Sequence, residues 1–240
     1  MLYLIGIGLR FKDLSIRALD VIKKSDYIYL DNYTSILTYG LKDLKKLIGK
    51  EIILADRELV ENNTIEILSK SKHKDVAFLV IGDVFSATTH ISLLMDAVKE
   101  KIKYEIIHGI SILTAIGDTG LSLYNFGKTS SIPKNNENVE TPYDVLKQNR
   151  DLHTLFLLDV GMNVNDGIKF LLDIERKRKE NVFNDNKMCI CCAGLGLEKT
   201  DIKIGKAKDL LKFKSKLIPQ CLIVPGKLHF IEEEFLERFK

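Results

Sequence analysis

The chain has no tryptophan, only four prolines and four cysteines, and almost no net charge, with 36 Lys and Arg against 33 Asp and Glu in 240 residues. Each scarcity excludes something. So few prolines, with 15 glycines, rule out collagen-like repeats and a loop-rich secreted scaffold. The cysteines Cys189, Cys191, Cys192 and Cys221 all fall in apolar runs that read as strands, with no second C-x2-C pair. They are expected to be buried free thiols, neither disulfide staples nor metal ligands. A balanced charge permits an acidic or polyanionic partner without calling for one. No apolar run approaches the ~18 residues of a spanning helix. Met1 to Leu9 is apolar but lacks the basic flank and cleavage site of a signal peptide. The expectation is a cytoplasmic chain with no membrane part. What remains, 45% hydrophobic and 29% charged residues, is ordinary globular composition, enough for one large or two small domains.

Short apolar runs alternate with amphipathic stretches, as strands and helices do when they take turns. In the first half, Leu2–Ile7, Tyr27–Leu30, Ile52–Leu54, Val76–Ile81 and Tyr104–Ile107 read as strands. Ser15–Lys24, Leu59–Ser71 and about Thr88–Lys101 read as helices between them. That order predicts a mostly parallel sheet covered on both faces. The second half opens with a short helix at Ser111–Asp118, and Lys128–Thr141 reads as a strand followed by an exposed loop. Strands follow at Leu155–Val160, Met188–Ala193 and Gln220–Val224, with helices at Asp166–Lys179 and Phe230–Lys240. The change of texture near residue 110 predicts an α/β protein of two domains, 1–110 and 111–240.

Candidate functional residues cluster at strand ends, where α/β sheets hold their ligands. Gly6-Ile7-Gly8 follows the first strand, but the third glycine of a dinucleotide fingerprint is replaced by Phe11. A tight turn and a ligand crevice of another kind both stay open. Gly82-Asp83 ends the fourth strand with a carboxylate able to bind ribose hydroxyls or simply to cap its own loop. His90 at the following helix start has the features of an ordinary polar residue. His108-Gly109-Ile110-Ser111-Ile112 places small and hydroxyl residues at a helix mouth, Leu158-Asp159 ends another strand, and Val224 to His229 ends the last with a rigid turn. His229 by itself reads equally as a structural or surface residue. Small or polar residues at strand ends in both halves are the pattern of a ligand held between two domains.

Taken together and in order, Leu4-Ile5-Gly6-Ile7-Gly8-Leu9, Tyr33-Thr34-Ser35, Gly82 to His90, His108 to Ile112, Gly120 to Gly127 and Val224 to His229 resemble the diphthine synthases of the tetrapyrrole methylase superfamily. The resemblance implies two α/β domains with S-adenosylmethionine in the cleft between them, usually in a homodimer. It implies repeated N-methylation of an aminocarboxypropyl group on one histidine of translation elongation factor 2, the archaeal pattern being trimethylation. Cofactor contacts would fall at Leu9, Asp83, Ser86, Ser111, Ile112, Leu158, Ile204 and His229. A sulfonium donor needs no enzyme nucleophile, so no catalytic residue is assigned and no metal is expected. The partner implied is a folded protein, with no nucleic acid and no membrane.

There are three departures from the family pattern, the first loosening the turn after Asp83 and the other two, both losses of a basic residue, bearing on the substrate side. Val84 stands where the family has Pro, Gly161 where it has a basic residue after Leu158-Asp159, and Gly194 where it commonly has Arg. Lys199, Lys203 and Lys206 are alternative cations or plain solvated surface. Competing readings are a superfamily relative acting on a tetrapyrrole or ribosomal RNA, a noncatalytic S-adenosylmethionine-binding protein, and, from Gly6-x-Gly8 alone, a nicotinamide-dependent dehydrogenase.

Overall fold

Val76 to Val80 is buried at every position, which a strand can be only when both faces of its sheet are covered. In the computed structural model, which describes residues 1–240, this strand is β4 of a five-stranded parallel sheet. The order is β3 (Ile53–Ala55), β2 (Tyr27–Asp31), β4 (Val76–Val80), β1 (Leu2–Gly6), β5 (Tyr104–Ile107). Alternate side chains feed two cores. Leu2, Leu4, Tyr29, Phe78 and Val80 pack with Ile67 of α3 (Ile65–Ser71) and with Leu93 and Ala97 of α4 (Ile91–Lys99). Ile5, Ile28, Leu30, Ala77 and Leu79 pack with Ala18 and Ile22 of α1 (Ile16–Lys24) and with Leu44 and Ile48 of α2 (Leu41–Ile48). The sheet is parallel and doubly covered, as the alternation predicts.

Chain order places the topological switch point of this unit between β1 and β4. From β1 the chain crosses over β4 to reach β2, and from β4 it crosses over β1 to reach β5. Crossovers that diverge in this way leave a crevice beyond the carboxyl ends of the two middle strands.

The chain divides into two compact units, Met1–Ala115 and Ile116–Lys240, a few residues beyond the division expected at 110. The second unit has its own five-stranded sheet, ordered β6 (Ser130–Ile132), β7 (Thr154–Leu158), β10 (Gln220–Val224), β8 (Met188–Ala193), β9 (Asp201–Lys206). Only the β6–β7 pair is parallel. Phe156, Cys189, Cys191 and Leu222 form its core with Tyr143 and Leu146 of α6 (Thr141–Asn149) and with Ile168, Leu171 and Leu172 of α7 (Val164–Arg178). α5 is the short Ile112–Ala115, α8 is Ala207–Leu210 and α9 is Phe230–Leu236. All four thiols are free and buried in β8 and β10.

Several elements differ from expectation, among them the unexpected helices α2 and α8. The helix read over Leu59–Ser71 is a wide turn at Glu58–Asn62 followed by α3, the break falling at Asn63, whose φ of −125° and ψ of 46° leave the helical region. α6 carries a helix-starting Pro142 next to Thr141 but follows a polar loop that hides its start. β9 is absent from the expected strands because its alternation is short, Ile202 and Ile204 among Asp201, Lys203, Gly205 and Lys206, and an edge strand needs little more.

Candidate functional site

At the crevice of the first unit, three strand ends approach so closely that side chains do not fit between them. A Cβ on Gly109 would sit 2.3 Å from the Gly82 carbonyl oxygen and 2.7 Å from that of Gly6, and one on Gly6 would sit 2.6 Å from the Gly109 nitrogen. Gly8 and Gly82 then exchange backbone hydrogen bonds, Gly8 N to Gly82 O at 3.1 Å and Gly82 N to Gly8 O at 2.9 Å. The Gly6-x-Gly8 pattern thus serves close backbone approach between β1, β4 and β5.

Asp83 holds this junction from inside. Its Oδ2 accepts from the Gly109 amide at 3.1 Å and from His108 Nδ1 at 2.8 Å. Its Oδ1 accepts from the Phe85 amide at 3.1 Å and, more weakly, from Ser86 Oγ at 3.4 Å. Burial alone would raise its pKa, but the Phe85, His108 and Gly109 hydrogen bonds outweigh that and hold it below the usual carboxylate range. The hydrogen bonds show the loop-capping reading of Asp83: it caps its own loop and stays charged at the crevice.

The other expected residues of this unit lie beside it. The Leu9 side chain and Ser111 both stand 3.7 to 3.8 Å from where a Gly82 Cβ would be, so Leu9, Gly82, Asp83, Ser86 and Ser111 share one neighbourhood. Ser111 is buried, and its hydroxyl and carbonyl cap α5 by accepting from the amides of Leu113, Thr114 and Ala115. Ile112 follows, half-buried. This face combines an aliphatic wall, hydroxyls and an ionised carboxylate, a donor set suited to a cationic nucleoside.

The second unit spreads its three expected residues apart. Leu158 is the last residue of β7, half-buried on the core that α7 covers. Ile204 is buried on edge strand β9 opposite Ile190 of β8. Three strand spacings and about three residues of register separate them, roughly 17 Å. His229 lies beyond the carboxyl end of β10, which the antiparallel register places at the start of β7, not at its Leu158 end. It caps α9, its Nδ1 accepting from the Ile231 amide at 3.4 Å.

Two buried carboxylate–imidazole pairs escape sequence reading. In the first unit, Asp31 at the end of β2 faces His90 before α4, both fully buried, with Nε2 to Oδ2 at 3.2 Å. The Tyr33 and Thr34 amides donate to Asp31 Oδ1 at 3.1 and 3.3 Å, and the Thr34 hydroxyl donates to Oδ2. Burial would raise the Asp31 pKa, yet His90, Thr34 and Tyr33 carry it below the usual value. In the second unit, Glu232 of α9 accepts from Ser122 N at 2.8 Å, His229 N at 2.8 Å and His153 Nε2 at 3.3 Å, while His153 Nδ1 accepts from Gly226 N at 3.0 Å. This pair joins Gly120–Gly127 to the turn after β10. The only signal in the sequence is the position of each His and acid at the margin of an element.

Comparison with known proteins follows the same lines. Residues 1–211 match the family model described as Tetrapyrrole (Corrin/Porphyrin) Methylases. A diphthine synthase of Methanococcus maripaludis is 43% identical over 249 aligned positions, covering 99% of this chain and 98% of that protein. An Arabidopsis thaliana protein named "Probable diphthine methyl ester synthase" is 38% identical, covering 100% and 98%. A crystal structure of a diphthine synthase superposes with a TM-score of 0.92 at 30% identity, covering 100% of this chain and 96% of that one.

Proposed function

The chain belongs to the tetrapyrrole (corrin/porphyrin) methylase family and, within it, to the diphthine synthases, which are methyltransferases; from this we propose its substrate, cofactor and site. The substrate is the aminocarboxypropyl-modified histidine of translation elongation factor 2, and the product is its trimethylated amine. The methyl donor is S-adenosylmethionine. Full-length similarity to diphthine synthases carries this reading, and the donor set at the β1, β4 and β5 ends supports it.

The residues proposed to hold the donor are Leu9, Asp83, Ser86, Ser111 and Ile112 of the first unit and Leu158, Ile204 and His229 of the second. When bound, the donor supplies an electrophilic methyl on a sulfonium, so the substrate amine itself is the nucleophile. Leu9 and Ile112 provide apolar surface that excludes water, and the Ser86 and Ser111 hydroxyls fix orientation. Asp83, kept ionised by its hydrogen bonds, favours a cation beside it. The chain's remaining task is alignment, with reacting centres about 3 to 3.5 Å apart. An ammonium taken from water toward a second cation loses its proton more readily, so no dedicated general base is required. Homodimerisation and a cytoplasmic location complete the proposal; no helix is long and apolar enough to cross a membrane.

Intact-mass spectrometry of elongation factor 2 carrying the aminocarboxypropyl histidine, incubated with the chain and labelled S-adenosylmethionine, tests this reading. Mass should rise by three methyl groups. No gain refutes the activity. The Arabidopsis relative's name favours a second reading with a fourth methyl as an ester, and a fourth step that mild alkali removes would establish it.

A further inference from the structure

The segment Asp83–His90 between β4 and α4 carries two of the proposed cofactor contacts and one unfavourable residue. Ala87 has φ of +62°, in the left-handed region that an L side chain disfavours by roughly tenfold. Such a conformation persists only where its surroundings impose it. The restraints are all present. Asp83 fixes the near end through Phe85, His108 and Gly109, and Val84 is buried in the core beside Phe78. Within the loop the Thr88 hydroxyl donates to the Val84 carbonyl, and Thr89 Oγ1 donates to Glu61 at 3.1 Å. His90 fixes the far end, bonded through Nε2 to Asp31.

His90 is a costly way to fill that position. It is fully buried, and its Nδ1 has no hydrogen-bond partner, which a phenyl ring would avoid. Its neighbours would accept one, since the rings of Phe78 and Tyr33 meet it edge-on at 5.2 and 6.1 Å. What the imidazole adds over a phenyl ring is the bond to Asp31, whose other acceptor sites are taken by Tyr33 and Thr34. We propose that Asp31 and His90 are positioning residues, a buried clamp that holds the Val84–Thr89 loop with Ala87 left-handed and so fixes Ser86 and the Asp83 turn for S-adenosylmethionine. This inference rests on the cofactor reading above.

Calorimetric titration of the full chain with S-adenosylhomocysteine tests it. His90→Phe and His90→Asn both remove the Nε2 bond and leave different volumes, so one folded variant, checked by circular dichroism, suffices. Each should raise the Kd about tenfold, the factor by which Ala87 disfavours its conformation. His90→Gln, whose amide reaches the carboxylate, should stay within about threefold. Adding Ala87→Gly removes the left-handed penalty and should restore most of the affinity lost by the Phe or Asn variant, a repair that a purely structural role for His90 would not show. Wild-type Kd in a folded Phe or Asn variant overturns the clamp, as does failure of Ala87→Gly to recover affinity. No binding by the wild type removes the cofactor reading and the clamp together, whereas wild-type binding with unchanged variants removes only the clamp.

Discussion

Replacing Glu232 with glutamine should remove an identifiable part of the acid sensitivity of folding. The carboxylate is 2% exposed. Burial by itself would raise its pKa, but donors from His229, Ser122 and His153 outweigh that and bring it down from 4.5 to about 2. A folded-state pKa below the unfolded one contributes stability above the unfolded value, lost as pH falls toward the folded value. The window is therefore about pH 4.5 down to about 2. A shift of that size corresponds to about 3 kcal/mol at neutral pH, of which about 2 kcal/mol disappears between pH 5 and pH 3. A glutamine amide with its oxygen at the Oε1 position would keep the Ser122 and His153 donors and turn its N–H groups on the His229 amide, costing about 2 to 3 kcal/mol at pH 7. Urea denaturation followed by circular dichroism at pH 7, 5 and 3 should show the wild type and Glu232→Gln converging toward low pH, by about 2 kcal/mol between the last two. Parallel losses in both proteins would refute the assignment of that acid sensitivity to Glu232.

Gly109→Ala should destabilise by about 3 kcal/mol, because its Cβ would meet backbone oxygens of Gly82 and Gly6 at 2.3 and 2.7 Å, and a lowered Tm with weakened S-adenosylhomocysteine binding is the expected measurement. Asp83→Asn should cost about 2 kcal/mol, since its amide nitrogen would face either the Gly109 N–H together with the His108 ring or, flipped, the Phe85 N–H; unchanged urea stability would count against the junction described. The native protein should react negligibly with a thiol-disulfide reagent and release four equivalents of thiol after denaturation, because burial pushes the Cys189 and Cys191 thiols up, Cys191 to about 12, and the neighbouring Cys221 thiol, together with burial, raises that of Cys192. One rapidly reacting native thiol would contradict it.

Strand order and the site's residue types were legible to different depths. The strand and helix alternation of the first half determined a parallel sheet, and the unbroken apolar run Val76 to Val80 determined that both of its faces are covered. The ordered motifs determined the family, and the free thiols followed from cysteines placed inside apolar strands. Local sequence also hinted at Asp83, because a carboxylate directly after a buried strand has few roles. It was silent on what Asp83 binds, because His108 and Gly109 come to it only through the pairing of β1 between β4 and β5. The edge strand Asp201–Lys206 was hard to read for the opposite reason, its alternation resting on Ile202 and Ile204 alone while its other face meets solvent.

Only tertiary structure joined Asp31 to His90 and His153 to Glu232. Each pair is separated by more than fifty positions, and burial turns residues that look like solvated surface into members of fixed hydrogen-bond networks. It likewise showed that Gly6 and Gly109 make room for neighbouring backbone, and that Leu158, Ile204 and His229 occupy separate places on the second sheet. Sequence determines these residues' chemistry because side-chain type and local periodicity are one-dimensional properties. Their distances and protonation are decided by which strand ends the crossovers bring together, and that is a property of the folded chain alone.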